Sequence, residues 1–205
     1  VCSSDLTLRL CLSCTAGFAP QIAARGDADT FDAQVRAIAA TPLRGDPGLQ
    51  WEYGGTTFQV AAAAAVRASG KDWHTLFRQR IAEPLGLRHT SFGRLLPPGA
   101  EAGTAAVPWV AGGAVSTLRD YARFVLMLAQ GGTVGTVRVL KTATVDRMFA
   151  SATDGMKVRS ASFPADDLAY GLATWLQPLA AGAVRGSDPG AFGFTPWIEI
   201  GRAHV

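Results

Sequence analysis

The stretch PGLQWEYGGTTFQVAAAAAV, Pro47 to Val66, sets a tyrosine on a glycine-rich turn between a proline-glycine break and an alanine-rich run. Proline fixes φ and glycine frees it, so Pro47-Gly48 reads as a break, while Phe58 to Ala68 reads as a buried helix with Gly70 as its stop. Tyr53 between them has two readings. As a turn aromatic it packs against the helix that follows and leaves its hydroxyl at the surface; as a functional group it moves protons. Gly54 and Gly55 likewise read either as turn positions that tolerate positive φ or as part of a site.

Working outward, Thr7 to Ser13 reads as a helix capped by Thr7 and stopped near Gly17. In DTFDAQVRAIAA, a cap at Asp29 or Thr30 precedes apolar residues at Phe31, Val35 and Ile38, a second amphipathic helix. Trp73 to Ala82 predicts a helix ending at Pro84. In STLRDYARFVLMLAQGG, Thr117 and Asp120 have the spacing of a capping box and Gly131-Gly132 closes the helix. TVRVL, LAYGLATWL and AFGFTPWI carry the β-branched, aromatic and alternating residues of strands. Helices come first and strands last, with no internal repeat, which predicts an α+β fold rather than alternating βαβ units.

Composition excludes several classes. With 205 residues and 48% hydrophobic content the chain is globular, and its net charge of +3 comes from scattered arginines rather than a basic run interleaved with aromatics. That predicts a solvated surface and no nucleic-acid partner. No apolar run approaches the roughly 18 residues a bilayer span needs, so no transmembrane segment is expected. No export signal is visible, and any such signal would lie upstream. Cys11 and Cys14 form a C-x-x-C, yet two further zinc ligands at suitable spacing are missing and no βαβ pattern surrounds them. Buried packing thiols are therefore expected, with a redox module built on Cys11 and Cys14, which needs a low-pKa thiol, as the alternative reading; metal none and cofactors none are expected. No serine stands in G-x-S-x-G, His74 and His89 read as structural, and GGTVGT, lacking the register of a dinucleotide loop, reads as a helix stop and turn.

Three segments carry a resemblance. TLRLCLSCTAGF, then PGLQWEYGGTTFQV with IAEPLGLRHTSF, then AGGAVSTLRDYARFVLMLAQGG are similar, in the same order and spacing, to segments shared by serine β-lactamases, penicillin-binding proteins and family VIII esterases. The resemblance implies a partial β-lactamase/transpeptidase-like fold, a helical cluster plus an incomplete antiparallel sheet, and an acyl-transfer chemistry. In that family the serine of S-x-x-K attacks a carbonyl, while the lysine and the tyrosine of Y-x-N move its proton. A serine hydroxyl is a weak nucleophile until a base takes that proton. A free tyrosine, with pKa near 10, remains protonated at neutral pH unless a cation lowers it. The implied partner is a small-molecule ester, β-lactam or peptide substrate, and the implied location of the parent protein is periplasmic or secreted.

Carried onto this sequence, the family tyrosine falls on Tyr53, and Gly55 stands where an asparagine is usual. The loss of that amide leans away from β-lactam recognition and toward an esterase-like relative. The third motif falls on Asp188, Pro189 and Gly190, because DPGAFGFTPWI keeps the spacing of the family's HTGFPGTSLWI strand. Asp188 then places a carboxylate where the family has a cation, and the backbone N–H of Ala191 is an oxyanion donor. The first motif is absent: Lys71, Lys141 and Lys157 are preceded three positions earlier by Ala68, Arg138 and Asp154, so the chain contains no S-x-x-K. The opening VCSSDL (1–6) and closing EIGRAHV (199–205) match translated sequencing adapter, so 7–198 is expected to be a fragment of one hydrolase domain, inactive without its nucleophile.

Overall fold

The computed structural model describes residues 6–21, 30–93, 107–158, 168–190 and 195–200. The chain divides into two compact units, Val1–Tyr121 and Ala122–Val205.

The first unit is mainly helical. Helix α1 (Leu8–Leu12) starts where the Thr7 hydroxyl accepts from Leu10 N, and α2 (Phe31–Ala39) where the Thr30 hydroxyl accepts from Ala33 N. Each cap satisfies a backbone donor that has no partner inside its helix. Helix α1 fills the expected Thr7–Ser13 stretch: Ser13 caps it and Cys14 takes a left-handed φ of 58°, so the chain turns before Gly17. Helix α3 (Gly55–Ser69) is the centre of this unit. Its Ala61 packs with Cys11, Ala16, Leu10 and Phe18, and its Ala62 and Ala63 pack with Phe31, Val35 and Trp73. The alanine run thus does two things: it favours the helix intrinsically, and its small side chains let neighbours approach closely.

Past Gly70, a left-handed cap, Asp72 accepts from Thr75 N and opens α4 (Trp73–Phe77). Pro84 does not end this helix. A π-helical turn over Arg78–Ala82 leads into α5 (Glu83–Leu85), with Pro84 in its first turn, where a missing N–H is tolerated. Gly86, with φ of 64°, ends the helix, and Leu87 N donates back to Ala82 O. Strands β1 (Ser91–Phe92) and β2 (Ala114–Val115) pair antiparallel, bringing the two ends of the 93–113 segment together.

Helix α6 (Leu118–Ala129) corrects half of the expected capping box. The Thr117 hydroxyl accepts from Asp120 N, but the Asp120 carboxylate turns away to accept from His89 N (2.6 Å) and the Thr90 hydroxyl (3.1 Å). Those bonds hold its pKa below the ordinary carboxylate value, the His89 backbone bond being the largest cause.

In the second unit β3 (Thr133–Val134) and β4 (Val137–Arg138) form a hairpin, and α7 (Thr142–Met148) follows. The TVRVL strand is therefore shorter than expected. LAYGLATWL is two strands rather than one: β5 (Ala169–Tyr170) and β6 (Trp175–Pro178) are joined by a turn in which Ala173 has a φ of 57°. Strands β7 (Val184–Ser187) and β8 (Trp197–Ile200) complete a four-stranded antiparallel sheet in chain order. Tyr170 and Trp175 meet edge-on at 5.2 Å within its buried face. Helical elements and an antiparallel sheet segregate along the chain, as the α+β reading expects.

Candidate active site

The turn that carries Tyr53 is fastened before and after the tyrosine. Gly48 N donates to Thr15 O (2.8 Å) and Glu52 N to Cys14 O (2.9 Å), so the approach to Tyr53 lies along the chain that leaves α1. The phenol ring stacks on Trp51, with centroids 6.3 Å apart, and meets Phe58 edge-on at 6.4 Å. It nonetheless stays 40% exposed. Packing and accessibility coexist in this residue, as a proton-transfer group on a rigid support requires.

Gly54 and Gly55 are not positive-φ positions. Gly54 is extended, with φ of −179°, and Gly55 is the first residue of α3. What demands glycine is room. A Cβ on Gly54 would overlap Cα and O of Pro20 and lie 2.6 Å from its carbonyl carbon. A Cβ on Gly55 would overlap Cζ2 of Trp109 and lie 2.8 Å from Cε2. Real side chains essentially never approach this closely, so any larger residue must move its neighbour. Thr56 reinforces the seat: its N–H and its hydroxyl both donate to Pro20 O, at 3.4 and 3.2 Å. At the next residue, the Thr57 hydroxyl donates to Cys11 O (2.7 Å) and ties α3 to α1.

Trp109 is held in place by a residue that spacing does not single out. Gln59 is fully buried and its amide spends both ends: Nε2 donates to Gln34 Oε1 (2.6 Å) and to Pro108 O (2.8 Å), while Oε1 accepts from Val110 N (3.1 Å). The residues flanking Trp109 are thereby clamped to α3. A lone glutamine in the apolar stretch TTFQVAAAAA is the signal that could have found it, because a buried amide needs partners. Nothing in the sequence points to Trp109 itself, whose partner Gly55 is remote along the chain.

The remaining site residues lie in the second unit. Asp188 follows β7, and its N–H donates to Pro196 O (3.2 Å) across the connection to β8. Part of the residue meets solvent, yet the protein around its carboxyl group penalises the charged form and pushes its pKa above the ordinary value. Gly190 is exposed. Ala191 lies outside the described residues. The structure therefore groups Tyr53 with Gly55, and Asp188 with Gly190, each pair within its own unit.

Cys11 and Cys14 are buried thiols that form no disulfide, and burial pushes the Cys11 thiol above its ordinary pKa. A thiol shifted upward is a poor nucleophile at neutral pH, which fits packing rather than redox work. Among the described residues no three His, Cys, Asp or Glu side chains gather as metal ligands. No helix among them is long and apolar enough to cross a membrane.

Comparison with known proteins places this geometry. A solved candidate beta-lactamase from Bacteroides dorei DSM 17855 is 31% identical, with a TM-score of 0.77, over 94% of this chain and 60% of that one. EstCE1, a hydrolase with promiscuous acyltransferase activity, shares the fold at 21% identity and a TM-score of 0.70, over 94% of this chain and 63% of its own. D-alanyl-D-alanine-carboxypeptidase/endopeptidase AmpH of Escherichia coli (strain K12) is 32% identical over 63 residues, 31% of this chain and 16% of the relative. The chain thus spans less than two thirds of the length of each of these proteins. The Beta-lactamase family model matches residues 3–201, and the chain belongs to that family.

Proposed function

We propose that the protein carrying this chain is a serine acyl hydrolase that works through an acyl-enzyme, with Tyr53 as its proton-transfer group. The observation that carries the reading is the Tyr53 turn: an exposed phenol on a support so tight that both following residues must be glycine. Such a support holds a reacting group in one geometry, where catalysis gains from orientation. In this reading the serine and lysine lie outside these 205 residues, which contain no S-x-x-K, so the chain alone does not turn over substrate. Tyr53 takes the serine proton during attack and returns it to the leaving group, and the Ala191 N–H donates to the oxyanion. Domain 7–198, the adapter origin of both ends and a periplasmic or secreted location belong to the same proposal.

The test is hydrolysis of a p-nitrophenyl ester, a chromogenic cephalosporin and a D-alanyl-D-alanine peptide by the full-length protein. Tyr53→Phe is expected to lower kcat/KM by about a hundredfold or more at an unchanged melting temperature. Equal rates for the variant and the parent would refute the role of Tyr53.

A second reading, a β-lactamase-like protein that binds without catalysis, is favoured by Gly55 and Asp188, which depart from the family motifs. It expects saturable peptide binding without turnover, and an upstream sequence without S-x-x-K.

A further inference from the structure

The phenol of Tyr53 is held by rings from both directions along the chain. Trp51 precedes it by two residues and stacks on its face, with centroids 6.3 Å apart and planes at 27°; Phe58, in the first turn of α3, meets it edge-on at 65°. Each partner stands on its own anchored backbone. The Trp51 side is tied to the chain leaving α1 by the bonds from Gly48 N to Thr15 O and from Glu52 N to Cys14 O. The Phe58 side is tied by the hydroxyls of Thr56 and Thr57, which donate to Pro20 O and Cys11 O. Glu52, between the two aromatics, pairs instead with Arg44 (3.4 Å). Trp51 is half-buried while Tyr53 is exposed, so the support lies inside and the phenol outside. All these residues belong to the first unit.

We propose that Trp51 is a positioning residue: its indole face keeps the Tyr53 ring in one rotamer and so keeps the phenol where it transfers a proton. The inference rests on the acyl-hydrolase reading of Tyr53 and adds a residue to that site. An exposed aromatic side chain turns about χ1 among staggered wells unless neighbours fill the space of the others. A phenol that wanders among those wells meets its proton partner for only part of the time, and the gain from orientation is lost. A group that must react in one geometry is therefore held by side chains that are themselves locked through packing. The indole supplies a broad, rigid face, whereas Phe58 offers an edge, so the stack carries the larger share of the restraint. Leucine in place of Trp51 keeps apolar bulk but not the flat face.

The test uses the full-length protein and whichever of the p-nitrophenyl ester, chromogenic cephalosporin and D-alanyl-D-alanine peptide the parent hydrolyses fastest. Trp51→Leu is expected to lower kcat about tenfold with KM unchanged, and Trp51→Phe, which keeps a flat ring, to stay within about threefold of the parent. Because Trp51 acts through Tyr53, the double variant Trp51→Leu with Tyr53→Phe is expected to lose no more than Tyr53→Phe alone. Crystal structures give a readout that needs no turnover: one Tyr53 rotamer in the parent and in Trp51→Phe, and more than one in Trp51→Leu. Trp51→Met takes the place of Trp51→Leu if the leucine variant does not fold. A further tenfold loss in the double variant, an unchanged kcat in Trp51→Leu where Tyr53→Phe is impaired, or a single parental rotamer in Trp51→Leu overturns the proposal. A parental rate for Tyr53→Phe overturns the acyl-hydrolase role of Tyr53 instead, and the rotamer comparison then decides by itself whether Trp51 holds the ring.

Discussion

At the scale of single residues, the backbone of Pro20 is less forgiving than a side chain would be. A methyl group on Gly54 meets the Pro20 backbone rather than the flexible end of a side chain, so relief requires moving the chain itself. Gly54→Ala is expected to destabilise by about 2 kcal/mol, read by chemical denaturation, since alanine is also the poorer N-cap for α3. Two carboxylates titrate in opposite senses. Asp120 has its pKa lowered by its bond from His89 N, so its contribution is present above the unfolded pKa and is lost as pH falls through the folded value. Asp188 has its pKa raised by burial, so it favours the fold below the unfolded pKa, and that contribution is lost as pH rises through the folded value. Melting curves should therefore show Asp120→Asn harmful at neutral pH and nearly silent well below about pH 4. Asp188→Asn should raise the melting temperature only slightly at neutral pH, because the residue is exposed and water screens its charge, and do little in acid.

At the scale of elements, the Gln59 amide joins α2, α3 and the 108–110 segment. Gln59→Leu keeps the volume but leaves Gln34 Oε1, Pro108 O and Val110 N without that partner. A loss of about 3 kcal/mol in denaturant unfolding is expected, since buried polar groups without partners carry their full desolvation cost. Local signals made two helix starts legible: Thr7 and Thr30 each cap a helix through a bond spanning three residues, and Asp72, which the sequence reading did not single out, does the same for α4. The same is true of the Tyr53 turn, whose motif is contiguous. The π turn before Pro84 was not legible, because the proline alone argues for a stop and only the wider turn ahead of it removes the conflict. The GLAT turn within LAYGLATWL was hidden for a related reason: Ala173 adopts a left-handed conformation that its residue type does not advertise. Trp109 was invisible because its partner is a missing side chain, and an absence leaves no pattern.

At the scale of the whole molecule, strand β8 pairs on one side with β7 and is a sheet edge among the described residues. Trp197 on that strand is 58% exposed, and Leu118 on α6 is 85% exposed. Arg185 partly guards this edge, with its guanidinium over the Trp197 ring at 5.3 Å and paired with Glu199 at 2.6 Å. An open edge that carries an exposed tryptophan favours self-association. Sedimentation velocity of this chain should show a mass that rises with concentration, and Trp197→Lys should reduce it. The family assignment was legible because three segments keep their order along the chain. The room around the tyrosine turn was not, because it is set by Pro20 and Trp109, which belong to other stretches. For the history of this lineage, that crowding makes the order of events matter. Whichever change comes first carries a cost, because asparagine at position 55 overlaps the Trp109 indole and a smaller residue at 109 leaves a void until position 55 fills it. Descendants that regain the amide should therefore carry a small residue at 109.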